Sequence, residues 1–215
     1  MASEVDICNL ALSHIGASAT ISSLTEASEE AFHCNLLYAD ARDGLLRSFP
    51  WGFATRHVAL SDVGSPPGNW AYRYSYPNDC LFAREILQTN QVAGSNNPIE
   101  YEIALSDTLD SKVILTDQIT ATLIYTAQVT NTLVFEPMFT IALAWKMASE
   151  IAIPITRDEK SMNNAYQMYL STLSEAKTYN ANESHLDTKN AEASWITGRS
   201  KCLYQQCSLR SQVVS

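Results

Sequence analysis

Apolar residues near the start of the chain recur at steps of three and four, the spacing of one helical face. Val5, Cys8, Leu12 and Ile15 mark a short helix over residues 3–16, with Ser3 placed to cap it, Asp6 three residues on, and Gly16 to end it. A polar linker, 17–23, separates it from a longer amphipathic helix whose stripe is Ala31, Cys34, Tyr38, Ala41 and Leu45. Thr25 offers a hydroxyl cap, and Glu26, Glu29 and Glu30 put negative charge at the positive end of the helix dipole. Pro50 disfavours helical geometry at Phe49 and has no N–H for the ladder, so this helix is expected to stop there and pass straight into a strand.

From Trp51 to about Val129 the period shortens to two. Tyr72, Tyr74 and Tyr76 alternate with Arg73 and Ser75. Residues 81–87, 99–105, 112–115 and 119–129 also read as strands, divided by turn-rich segments at 64–68, 90–98 and 107–110. Helix returns at Glu136-Pro137, proline being suited to the first turn. Met138, Ile141, Leu143, Ala144, Trp145, Met147 and Ile151 are apolar nearly all round, which predicts a buried helix ending at Pro154. Thr156 to Glu159 reads as a capping box for a last helix with the stripe Met162, Tyr166, Tyr169, Leu173 and Ala176. From Asn180 the chain turns polar and aperiodic, and residues 184–215 read as an extended tail with Trp195 as its one large anchor.

The order of elements predicts an α+β fold. Residues 1–50 and 131–183 would form a four-helix bundle, and 51–130 an antiparallel β-sheet or small sandwich inserted between helices two and three. At 215 residues and 46 % hydrophobic, one domain with an insertion has enough apolar surface for a sizeable core. No run approaches the roughly 20 apolar residues of a membrane span. The N-terminal segment has no basic and apolar leader pattern, so a cytosolic place of synthesis and no membrane partner are expected.

Charge sharpens this picture. The net charge is −9, and residues 193–215 carry Arg199, Lys201 and Arg210 without an acid, so removing those three cations leaves −12 on residues 1–192. An acidic body with a mildly basic tail excludes a general nucleic-acid binder, which needs clustered Lys and Arg against phosphates. The five cysteines, Cys8, Cys34, Cys80, Cys202 and Cys207, are irregularly spaced. Three sit in apolar patterns, and the Cys202/Cys207 pair lacks the second pair or histidine of a zinc site. Asn182-Glu183-Ser184 matches a glycosylation acceptor, which without a secretory leader is a chance match.

Candidate chemistry is sparse. His14, His33, His57 and His185 show no metal-binding spacing, and no glycine-rich phosphate loop or nucleophile elbow is present. His33 and Cys34 are neighbours on a helix, so they point about 100° apart and read as one surface and one core residue. The pairs Glu29/Glu30 and Asp40/Asp43 read as solvated surface on an acidic helix. The aromatic run Trp70, Tyr72, Tyr74, Tyr76 could stack on sugar, which would make the chain a tail-associated carbohydrate-binding or glycan-hydrolysing module; at strand spacing it more simply forms a core-facing stripe. Arg42, Arg47, Arg56, Arg73 and Arg84 fall around the helix–sheet junction, where pairing with acids across it would serve a structural or subunit-interface role. No catalytic residue, metal or cofactor is expected.

Three segments carry a family resemblance: SEEAFHCNLLYADARDGLLRSFPW at 28–51, YSYPNDCLFAREI at 74–86 and NAEASWITGR at 190–199. The chain resembles the head-to-tail adaptors of short-tailed bacteriophages, of the tubular tail protein A type. The resemblance covers most of the chain up to Arg199 and rests on packing and turn motifs. It implies a structural virion protein without enzyme activity, assembled in host cytoplasm. It also implies a ring of copies, usually dodecameric, between the portal protein and the tail nozzle protein, through which double-stranded DNA passes without specific binding. The tail would reach the portal, with Trp195, Ile196, Arg199, Lys201 and Arg210 as its expected contacts. Pro50, Trp51, Tyr74, Pro77 and Asp79 would mark the junction between bundle and sheet. The acidic body suits a channel that DNA must cross without sticking. A polar tail frays unless held, so a partner chain is the expected anchor.

Overall fold

The computed structural model describes residues 3–88, 98–106 and 110–183. The described residues belong to one compact unit within 1–183; the predicted tail, including Trp195, Ile196, Arg199, Lys201 and Arg210, lies outside the described residues. The described residues form an α+β fold with four helices and two three-stranded antiparallel sheets.

Helix α1, Glu4–His14, is capped as its sequence predicts. The Ser3 hydroxyl accepts from the Asp6 N–H, and the Asp6 carboxylate accepts from the Ser3 N–H. Gly16, at φ +75°, ends it: the Gly16 N–H reaches Ser13 O and the Ala17 N–H reaches Leu12 O, the paired bonds that a left-handed glycine permits. The following linker is polar, but it is pinned. Asn9 bonds both the N–H and the carbonyl of Ile21, whose side chain is buried.

Helix α2 spans Glu29–Arg47, shorter at both ends than the predicted Thr25-to-Pro50 helix. Its cap is Ser28, whose hydroxyl accepts from the Ala31 N–H. Thr25 instead meets Ser23, and the Glu26 carboxylate folds back onto the N–H groups of Ser22 and Ser23. Several hydroxyls in one run compete for the cap, and the one beside the first buried residue wins. The predicted stripe Ala31, Cys34, Tyr38, Ala41 and Leu45 is buried throughout. A single 3₁₀ turn, Gly52–Ala54, separates the helix from strand β1, Thr55–Ala59.

Strand β2 is Tyr72–Ser75, β3 Cys80–Leu87, β4 Tyr101–Leu105, β5 Lys112–Thr116 and β6 Thr122–Ala127. They form two sheets, ordered β1-β6-β3 and β2-β5-β4. Tyr74 and Ile114 of one sheet share a small core with Ala83, Ile86, Leu123 and Tyr125 of the other. β6 passes through a 3₁₀ turn, Thr132–Val134, to helix α3, Pro137–Thr156.

Helix α3 packs against α1, α2 and α4, while α1 and α2 touch each other little. It is long and apolar enough by length and composition to cross a membrane, but its Phe139, Leu143, Met147 and Ile151 are fully buried among the other helices. Pro154 lies inside the helix rather than ending it. A proline in the last turn forfeits one ladder bond, and the true stop is Arg157 at φ +55°, whose N–H bonds Ile153 O. Helix α4, Glu159–Glu183, is capped by Asp158 and not by Thr156: the Asp158 carboxylate accepts from the N–H groups of Lys160 and Ser161. The stripe of α4 also shifts. Leu173 and Ala176 are buried with Ala165, but Tyr166 is about half exposed. Asn180, read from sequence as the start of the polar tail, is helical and buried.

Candidate functional site

The junction between α2 and the β1-β6-β3 sheet concentrates the unusual features of the described residues. Its key is a pair of irregularities in β3. The β3–β6 register runs Cys80, Phe82, Ala83, Glu85, and so skips Leu81 and Arg84. Residues released from a ladder by a bulge are free to aim elsewhere. Both turn to Arg47, the last residue of α2. The Arg47 guanidinium donates to Leu81 O at 2.8 Å, and the Arg84 guanidinium donates to Arg47 O at 3.3 Å. Phe82 lies between them, with the Arg47 and Arg84 guanidinium carbons 5.2 and 4.4 Å from its ring centroid.

Beside this clasp is a half-open cleft of about 280 Å³ between the two sheets. Arg47 and Lys112 line it together with Tyr76, Phe82, Tyr101 and Ile103. Among the described residues no carboxylate lines it. Burial, followed by the nearby Arg47 charge, lowers the Arg84 pKa, and only Tyr101 acts against that shift. Burial also raises the pKa of the Tyr101 and Tyr76 hydroxyls, so the cleft presents neutral phenols and positive charge. Three cations elsewhere, Arg42, Arg56 and Lys146, do pair with acids among the described residues: Arg42 with Asp43 at 2.8 Å, Arg56 with Asp79 at 2.6 Å, and Lys146 with Glu150 at 2.7 Å. Of the arginines expected around the junction, Arg47 and Arg84 bind carbonyls, the Thr126 hydroxyl and an aromatic ring rather than acids.

The five expected junction residues fall in different places. Trp51 is fully buried in the helical core, edge-on to Phe139 at 5.1 Å, with its indole N–H donating to Leu45 O. Pro50 beside it is exposed. Asp79 stands on the sheet side, accepting from Arg56 and from the Tyr125 hydroxyl, while its carbonyl accepts from the Gln128 N–H. Gln128 in turn donates to the Asp43 carboxylate on α2, which ties β6 to the helix. Pro77 closes a turn by accepting from the Cys80 N–H. Tyr74 is not at the junction: it is buried between the sheets, its hydroxyl donating to Gln118 O.

The aromatic run is spread across several roles. Trp70 donates to Glu102, Tyr74 is buried, and Tyr72 and Tyr76 are half-buried against the β core. His33 and Cys34 separate as helical geometry requires, half-buried and buried respectively. The thiol partner of Cys34 is Cys8 of α1; the hydrogen bond to Cys34, followed by burial, raises the Cys8 pKa. Among the described residues no group of three or more His, Cys, Asp or Glu side chains could hold a metal.

Asn180 escaped the sequence reading. Its side-chain amide donates to Glu136, at the start of α3, and its oxygen accepts from the Gly52 N–H. Burial raises the Glu136 pKa, and the Asn180 bond opposes the shift. One asparagine thus ties the end of α4 to the α2–β1 turn and to the cap of α3. A polar residue at the helical spacing 173, 176, 180 was the available signal. No protein-family model matches the chain, and no curated protein sequence matches it either.

Proposed function

We propose that this chain is a structural head-to-tail adaptor of a bacteriophage virion, forming a ring between portal and tail nozzle through which DNA passes. In this reading the helices act as a four-helix bundle and the six strands as an insertion between its second and third helices. Copies stand side by side around the channel, and the C-terminal tail binds the portal through Trp195, Ile196, Arg199, Lys201 and Arg210.

The observation that carries the reading is the meeting of two resembling segments. Residues 28–51 and 74–86 are distant in sequence, yet α2 and β3 are clasped through Arg47, Leu81, Phe82 and Arg84. The motifs therefore share one structural purpose, as parts of a scaffold do. Large apolar side chains left exposed on α2 and α4, such as Phe32, Leu36, Met168 and Tyr179, supply contact surface for neighbouring subunits.

The test is assembly. Full-length protein mixed with its cognate portal protein should give a ring-shaped complex by electron microscopy, and a chain lacking residues 190–215 should give none. Absence of any ring with the full-length chain overturns the adaptor reading. Undiminished portal binding by the truncated chain overturns the role of the tail.

A further inference from the structure

The cleft beside Arg47 is a positive, partly apolar recess on an acidic body. Residues 184–215 carry Asp187 and Glu192 against Lys189, Arg199, Lys201 and Arg210, or +2, so the −9 of the chain leaves −11 on residues 1–183. Against that background Arg47, Arg84 and Lys112 cluster around Phe82 and Tyr76, and none of the three has a carboxylate partner among the described residues. Two apolar side chains at the cleft, Phe82 and Ile103, remain 37 % and 44 % exposed. Such a surface fits a ligand that brings both negative charge and apolar bulk.

The outer face of α2 has that chemistry. Phe32 and Leu36 are 62 % and 59 % exposed, one helical turn apart, with the exposed carboxylates Glu29 and Asp40 on the same face to either side. The four residues form a ridge about 16 Å long at ~1.5 Å per residue. Nothing among the described residues covers it. We propose that the cleft receives this ridge from a second copy of the chain, with Phe32 and Leu36 entering beside Phe82 and Ile103 while Glu29 and Asp40 face the cationic rim. This deepens the adaptor reading and rests on it for the premise that copies stand next to one another. Charge complementarity selects the occupant: the chain's own C-terminal segment is net positive and would be repelled. Nucleic acid would have to approach three cations through the field of an acidic body. Anchors of this kind, an aromatic and an aliphatic side chain in a pocket with charges at its edge, concentrate binding energy at a few positions.

The experiment uses the full chain and two surface variants, Phe32→Ser with Leu36→Ser on the ridge, and Ile103→Asp with Lys112→Glu at the cleft. Lys112→Glu alone serves as a second cleft variant in case the pair disturbs the fold. Each is first checked for wild-type thermal unfolding, and self-association is then followed by sedimentation up to millimolar concentration. Each variant alone should self-associate at least about ten-fold more weakly than wild type. An equimolar mixture of ridge and cleft variants should restore association between unlike copies, because one intact ridge then meets one intact cleft. A folded variant that self-associates as wild type does, a mixture that restores nothing, or a wild-type chain that stays monomeric at millimolar concentration overturns the contact. Rings on the portal built from variants with normal self-association would sink this contact and spare the adaptor reading. A chain that pairs through ridge and cleft yet builds no ring on the portal would do the reverse.

Discussion

The helical and β parts of the compact unit are held together by different means. The helical core is a continuous apolar cluster around α3, where Ala142, Ala144, Ala148 and Ala152 leave room for neighbouring helices to approach closely and Trp51, Phe139, Leu143 and Met147 fill the space. The β core is small, and its largest members carry hydroxyls whose hydrogen bonds lie at the edges of the sheets. Tyr74 donates to Gln118 O, Tyr125 to Asp79 and Tyr101 to Ala83 O. Apolar burial dominates the first region. In the second, cross-strand pairing and tyrosine tethers carry more of the load. The difference places the open cationic cleft where the core is thinnest.

The strongest way to break this contrast is at Trp51, the point where the helical core meets the connection to β1. It is fully buried and touches Phe49 and Phe139. Trp51→Ala should cost about 3–5 kcal/mol, by cavity formation and lost burial, measured by urea denaturation. A loss below about 1 kcal/mol would mean that the helical core closes over the gap, and that the two regions are not so differently packed.

Asn180 comes next. Removing its amide leaves the buried side of Glu136 and the Gly52 N–H short of partners. Asn180→Ala should therefore destabilise by about 1–3 kcal/mol, and hydrogen exchange should speed up first at Gly52 and the start of α3. Uniform loosening of all elements would count against a local clamp.

This residue also marks the limit of what periodicity makes legible. The stripe of α2 and the closure of α1 could be read directly, because apolar spacing and capping chemistry are local. The misplaced features depend on choices that local rules leave open. Ser22, Ser23, Thr25 and Ser28 are all competent caps, and tertiary packing of Ala31 decides among them. Pro154 is tolerated because only one bond is lost in a final turn. Arg47 with Leu81 and Arg84 was the least visible part of the candidate site. It depends on two skipped positions in the β3–β6 register, and no single strand encodes them.

The tyrosines give a smaller and sharper comparison, because two substitutions of the same kind should have opposite signs. Tyr125 donates to Asp79 at 2.9 Å, whereas the buried Tyr38 hydroxyl in the helical core has no hydrogen-bond partner among the described residues. Tyr125→Phe should lose about 0.5–1.5 kcal/mol, the net contribution of a typical bond. Tyr38→Phe should be neutral or stabilising, since it removes an unsatisfied polar group from an apolar site. Burial, then the Asp79 bond, pushes the Tyr125 pKa up to about 12, so its tether stays protonated through neutral pH. Destabilisation of similar size in both variants would erase the distinction between tethered and untethered hydroxyls.

The smallest effect separates the two regions by pH. His14, in the last turn of α1, stacks on Trp145 of α3 with ring centroids 3.6 Å apart, and its buried Nε2 has no partner among the described residues. Burial lowers its pKa below the ordinary 6.5. As pH falls, the unfolded chain therefore takes up this proton before the folded one does. The stabilisation is complete above about 6.5 and drains as pH drops through that value towards the lower folded pKa. The lowered carboxyl pKa values of Asp6, Glu26 and Asp158 cause losses of the same sign, but only at more acid pH, below their ordinary 3.8 to 4.5. Between about pH 7 and 5 the slope should therefore carry a His14 contribution from the α1–α3 contact. His14→Phe keeps an aromatic stack on Trp145 and removes the titrating group. Its unfolding free energy should change less over that interval than the wild type's. An unchanged slope would mean that the α1–α3 contact admits water and a proton as easily as the unfolded chain, and that the helical core is less dry at its edge than at Trp51.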